Sequence, residues 1–162
     1  MSKIVLFTRR CLGFVALPAV FLTLAVGFSP PVDAQSTGTV SLTVVVTGAR
    51  NVKGKVRAAL FQSAKGFPND ASQAIQTQAA DIDPQSLSAK IVFTGLHDGT
   101  YAISVFHDEN MNQKLDKNFM GIPKEGYGAS NNPKKKMGPP DFEETKFQVS
   151  GQGPPLEIKL MY

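Results

Sequence analysis

Tryptophan is absent from this chain, cysteine occurs once, at Cys11, and histidine twice, at His97 and His107. A single cysteine closes no internal disulfide and builds no paired-cysteine redox or zinc motif. The two histidines flank a strand-like stretch. Extended at about 3.3 Å per residue, they would stand roughly 20–27 Å apart, too far to share one metal. No serine or cysteine stands in a recognisable nucleophile motif, which argues against covalent hydrolytic catalysis. There is no glycine-rich phosphate loop and no nucleic-acid motif. Only one long uncharged apolar run is present, from Cys11 to Phe28.

That run explains part of the composition. Lys3, Arg9 and Arg10 precede it, and Pro30-Pro31 and Val32-Asp33-Ala34 follow it. A positive start, an apolar middle and small residues at −3 and −1 are the parts of an export signal, with cleavage expected after Ala34. The alternative is an uncleaved anchor, since about 18 apolar residues is the lower limit for crossing a bilayer. Pro18 and the cleavage site favour removal. The protein is then exported, to the periplasm or the extracellular medium, and residues 35–162 form a single domain. Losing Lys3, Arg9, Arg10 and Asp33 lowers the net charge from +4 to +2, so the basicity belongs partly to the leader and implies no nucleic-acid partner. The cysteine leaves with the leader. The mature domain has no second span of membrane-crossing length.

Period-two alternation dominates what remains. Val40, Leu42, Val44 and Val46 alternate with Ser41, Thr43 and Thr47; Val56, Ala58 and Leu60 share one face of 55–61. Tyr101, Ile103 and Val105 line one face of 99–106. Leu156, Ile158, Leu160 and Tyr162 point inward from a final strand, with Glu157 and Lys159 outward. Ile91–Phe93 and Thr145–Val149 add short strands, and Ala71–Ala80 reads as a short helix or an edge strand. The expectation is an all-β, antiparallel β-sandwich of about seven strands.

One long polar loop, 108–132, interrupts the pattern, and loops of such length usually have a task. Asp108-Glu-Asn-Met-Asn-Gln-Lys-Leu-Asp116 opens it. Asp108, Asn110, Asn112 and Asp116 fall at positions 1, 3, 5 and 9 of a calcium-loop count, with the Lys114 carbonyl at position 7. Position 6 is Gln113 rather than glycine, and position 12 is Phe119 rather than glutamate, so Asn118 or Glu125 would have to close the ring. The cation implied is Ca²⁺, bound weakly, at roughly 10⁻⁴–10⁻³ M. The alternative is a loop stitched by its own side-chain-to-backbone hydrogen bonds, a rigid recognition surface with no cation. Tyr127, between Gly126 and Gly128, would pack over the loop or face a ligand, and Ser130-Asn131-Asn132 would cap the return or bind a polar group. Lys134-Lys135-Lys136 is either a solvated tip or a contact for anionic polymers. An enzyme reading pairs His107 with Asp108 or Glu125 as acid and base beside a cleft.

The run Phe93-Thr-Gly-Leu-His-Asp-Gly-Thr-Tyr-Ala-Ile-Ser-Val resembles the turn-and-strand unit of prealbumin-like and Cna-B-like sandwiches. The longer run from His107 through Gly121-Ile-Pro-Lys-Glu-Gly-Tyr-Gly to Asn132 resembles the small exported bacterial proteins grouped as the domain of unknown function DUF2141. The resemblance implies a sandwich fold and export, and no activity. The function expected is an exported, non-catalytic binding or structural module. Its partner would be an envelope polymer or a protein.

Overall fold

The computed structural model describes residues 38–134 and 138–162. The expected leader, 1–34, lies outside the described residues, as do Lys135 and Lys136 of the lysine run. Ser36–Tyr162 forms one compact unit.

Alternating apolar residues build eight strands: β1 (Val40–Thr47), β2 (Lys55–Phe61), β3 (Gln76–Ala80), β4 (Ala89–Leu96), β5 (Gly99–Asp108), β6 (Tyr127–Ala129), β7 (Phe147–Val149) and β8 (Leu156–Lys159). One sheet has the order β4-β1-β8 and the other β3-β2-β5-β6, with β7 also paired to β5. In β4, Ala89, Ile91 and Phe93 are buried while Lys90, Val92 and Thr94 are exposed, the period of two that puts one face on a core. The inward residues of both sheets meet in one cluster. Val44, Val46, Phe93 and Ile158 come from the first sheet, and Val56, Leu60, Tyr101 and Ile103 from the second. Each fully buried side chain of this size contributes about 1.5–3 kcal/mol. The β-sandwich is thus the observed architecture.

Three expectations need correction. First, the pairing is not wholly antiparallel, because β8 runs parallel to β1, Val44 facing Leu156 and Val46 facing Ile158. Second, β8 ends at Lys159 instead of running to Tyr162. Leu160 N–H still donates to Thr47, but Met161 pairs with Tyr127 of the other sheet. The chain crosses between layers there, and Tyr162 is 39% exposed rather than in the core. Third, the polar excursion is interrupted by β6, which leaves a loop over 109–126. The ambiguous 71–80 stretch resolves into a short 3₁₀ turn, Ala71–Gln73, followed by β3 on an edge.

The outer face of the second sheet is covered as well. Phe61 and Ala102 pack with Phe142 and the partly buried Phe67, and Phe67 meets both Phe61 and Phe142 edge to face at 5.3 and 5.8 Å. Phe142 belongs to a single helical turn, α1 (Phe142–Thr145). The second sheet is therefore held on both faces, and β5, its long central strand, is a firm base for the loop that leaves its end.

Candidate functional site

Strand alternation decides what the end of β5 presents. His107 faces Val56 and shares its core side, whereas Asp108 shares the opposite side with Phe106. Arg57 sits opposite Phe106, so it lies diagonal to Asp108 on the same face, within reach of a long side chain. Arg57 Nε donates to Asp108 Oδ2 at 2.5 Å, and Gln113 N–H donates to the same oxygen at 3.0 Å. Asp108 is fully buried, and its Oδ1 has no hydrogen-bond partner.

From Asp108 the chain winds through successive Asx turns. Asn112 N–H donates to Asn110 Oδ1 and Lys114 N–H to Asn112 Oδ1. The amides of Asn110 and Asn112 then donate to the two carboxylate oxygens of Asp116, at 2.7 and 3.0 Å. The spiral requires left-handed backbone at Met111 (φ 62°) and Gln113 (φ 66°). Gln113 therefore adopts the conformation that glycine supplies at this position of a calcium loop, at an expected cost of about 1–2 kcal/mol.

Residues 116–124 fold back as a small finger. Lys117 bridges Pro123, and Lys124 N–H donates to the Asp116 carbonyl. Asn118 Oδ1 accepts both Met120 N–H and Ile122 N–H, which closes the tip. Glu125 locks the base: it is 4% exposed, and its two oxygens accept Glu109 N–H and Asp116 N–H, each at 2.9 Å.

A second network braces the root from the core side. His107 is fully buried, with Nε2 2.7 Å from the Lys53 carbonyl and Nδ1 2.8 Å from the Tyr162 hydroxyl. A carbonyl only accepts, so Nε2 carries a hydrogen toward Lys53, while the Tyr162 hydroxyl bonds Nδ1 and accepts Arg50 N–H. Burial pushes the Tyr162 phenol above its usual range, against the lowering effect of the Arg50 amide. The Arg50 guanidinium stacks 4.7 Å from the Tyr162 ring and lies 2.5 Å from Glu109 Oε1. Burial raises the Glu109 carboxyl, but the Asn51 amide, Arg50 and His107 outweigh it and leave the group below its ordinary value. Two glycines permit this packing. A Cβ on Gly54 (φ +66°) would stand 1.8 Å from the Asp108 carbonyl oxygen, and one on Gly126 would strike the Tyr162 ring at 2.5 Å.

The residues expected to ring a cation are thus divided. Asn110, Asn112 and Asp116 converge. Asp108 turns to Arg57 and Gln113, Asn118 caps the finger, and Glu125 holds backbone amides. Lys114 contributes its N–H to the turn and exposes its side chain. Among the described residues no group of three or more histidine, cysteine or acidic side chains is arranged to hold a metal. The acid-base pairing of His107 with Asp108 or Glu125 is corrected: its ring bonds Tyr162 and Lys53 instead, because alternation sends Asp108 to the other face. Ser130 holds Ile103 N–H and the Thr145 carbonyl, and Asn131 and Asn132 tie Lys146, Glu157 and Lys159, so this trio clips neighbouring chain. Sequence reasoning missed Arg57, Arg50 and Glu109. The one available signal was Arg57 itself, a charge on a strand whose other face is apolar.

A family model described as an uncharacterized protein conserved in bacteria (DUF2141) matches residues 44–156. No curated protein and no solved structure matches the chain.

Proposed function

Since the chain belongs to the uncharacterized bacterial family DUF2141, we propose its role from the site itself: an exported, non-catalytic binding module that recognises a component of the cell envelope through the 109–126 loop. The observation that carries this reading is a contrast within the loop. Its carboxylates and Asx amides are spent on internal bonds, while Phe119, Met120 and Ile122 project at 98%, 67% and 53% exposure. Binding surfaces gain affinity when the ordering cost is met before the partner arrives, and a self-bonded loop meets it. Export rests on the leader-like N-terminus, whose charge order and small residues before Gln35 fit signal processing.

A photo-crosslinking residue at position 119 tests the reading in the envelope of a producing cell. Adducts with lipid, polymer or protein are expected at that position, and Glu125→Gln, which loosens the loop base, is expected to reduce them several-fold. Absence of adducts, or adducts indifferent to Glu125→Gln, would overturn it.

A second reading is favoured by the buried, unpartnered Oδ1 of Asp108. A Ca²⁺ ion would take that oxygen together with Asp116, Asn110 and Asn112 after their amides turn over, plus the Lys114 carbonyl. At 10 mM Ca²⁺ and an affinity of roughly 10⁻⁴–10⁻³ M, the stabilisation would be about 1.4–2.7 kcal/mol. A melting temperature equal in Ca²⁺ and in chelator removes this reading and leaves the first untouched.

A further inference from the structure

Building on that reading, we propose that the loop's partner is an anionic lipid surface, with Phe119, Met120 and Ile122 entering the interface and Lys114, Lys117 and Lys124 engaging lipid phosphates. The apolar side chains are concentrated: of the eight large hydrophobics exposed in the described chain, four lie within 111–122 (Met111, Phe119, Met120 and Ile122), and Val52 sits on the adjoining β1–β2 turn. That turn is tied to the loop base by the Asn51 amide on Glu109. A large apolar cluster held in water marks an interaction site. Here the holding is explicit, because the Asn118 cap and the left-handed Gly121 (φ +79°) fix the turn that carries these exposed side chains.

Charge selects the occupant. Every acid of the loop is engaged: Asp108 by Arg57, Glu109 by Arg50, Asp116 by two amides, and Glu125 by two backbone N–H groups. Lys114, Lys117 and Lys124 are exposed, and among the described residues none of them has an ion-pair partner. Arg57 and Arg50 cancel Asp108 and Glu109, while Asp116 and Glu125 keep their charge, so the segment 108–126 with its two arginines carries a net +1, and the exposed charges on the loop that bears the apolar tip are its three lysines. A stable protein partner would need roughly 800 Å² on each side. Three exposed apolar side chains, Phe119, Met120 and Ile122, meet that requirement poorly, whereas a fluid bilayer needs no matching groove. Among the described residues no helix is long and apolar enough to cross a membrane, so the contact would be peripheral.

Vesicle binding tests this, with the chain beginning at Gln35 so that the leader makes no contribution. Vesicles of phosphatidylglycerol and of phosphatidylcholine serve as probes. Each lysine near an anionic surface strengthens binding about fivefold at low salt, so Lys114→Gln with Lys117→Gln and Lys124→Gln should lose roughly a hundredfold. Phe119→Ala should lose about tenfold. Because the chain has no tryptophan, Phe119→Trp is a sole reporter. Its emission is expected to shift to the blue on phosphatidylglycerol vesicles and to be quenched by brominated acyl chains. All these variants should keep the parent melting temperature, since none of the side chains is buried. Failure to bind phosphatidylglycerol, equal binding to both lipids, or an unshifted reporter overturns the lipid assignment. If crosslinks at position 119 then go to protein or polymer, the recognition loop stands with a different partner. If no crosslinks form, both proposals fall.

Discussion

Replacing Glu125 by glutamine tests how the loop is held with the smallest change of shape. Glu125 is 4% exposed, and its two carboxylate oxygens accept Glu109 N–H and Asp116 N–H at 2.9 Å. A glutamine can accept only one of these, and its amide nitrogen must face the other N–H, donor against donor. The loss of one hydrogen bond to a charged acceptor is worth about 1.5–3 kcal/mol, and a buried donor left unsatisfied adds a desolvation penalty of about 1–3 kcal/mol. Because the two descriptions overlap, and the loop surface lets water relieve part of the penalty, about 2–4 kcal/mol is the expected total. Converted at 1.4 kcal/mol per tenfold, this is a fall of about thirtyfold or more in local protection. Amide hydrogen exchange is the appropriate assay, because the loop opens on its own before the sandwich does. The amides of Glu109 and Asp116 should lose protection together, while those of Val44 and Ile158 in the other sheet keep theirs until global unfolding. Unchanged protection at Glu109 and Asp116 would refute the clamp, and with it the argument that the loop is ordered before any partner arrives.

Further consequences follow from the same geometry. Gly54→Ala places a methyl 1.8 Å from the Asp108 carbonyl at φ +66°, so the turn must move; a destabilisation of about 2–4 kcal/mol is expected from overpacking and left-handed strain, read as a lowered urea midpoint. Glu109 has a folded pKa below its unfolded value, so its contribution to stability is present above about pH 4.5 and is lost as pH falls through the lower folded value. The urea midpoint between pH 6 and 3 should therefore fall more steeply for the parent than for Glu109→Gln. Mass spectrometry of protein recovered from outside the cytoplasm should find a chain beginning at Gln35; an intact residue 1 on all of it would rule out leader processing.

Much of the sandwich was legible in local pattern. Val44 and Val46, Val56 and Leu60, and Ile103 and Val105 were each placed on one face by alternation, and all six are buried. Strand ends were less legible. Asp108 closes β5 because it pairs with Lys55, a backbone register that no property of the 107–108 dipeptide announces. The polar loop stood out as a functional candidate by its length and its oxygen spacing, and the side-chain-to-backbone bonds of the alternative, self-bonded reading are present at Asn110, Asn112 and Asn118.

Local chemistry therefore set the strand faces, the single polar loop and the Asx turns within it, because each depends on neighbours one to five residues away. Which of the loop's oxygens would face one another was settled elsewhere. Arg57 reaches Asp108 across 51 residues, Tyr162 reaches His107 across 55, and β8 lies parallel to β1 from the far end of the domain. Pairings of that separation arise only when sheet register and layer crossing bring distant strands together. A carboxylate that spacing alone suggests for a cation, such as Glu125, can then be turned onto backbone amides once the β5–β6 pairing closes around it.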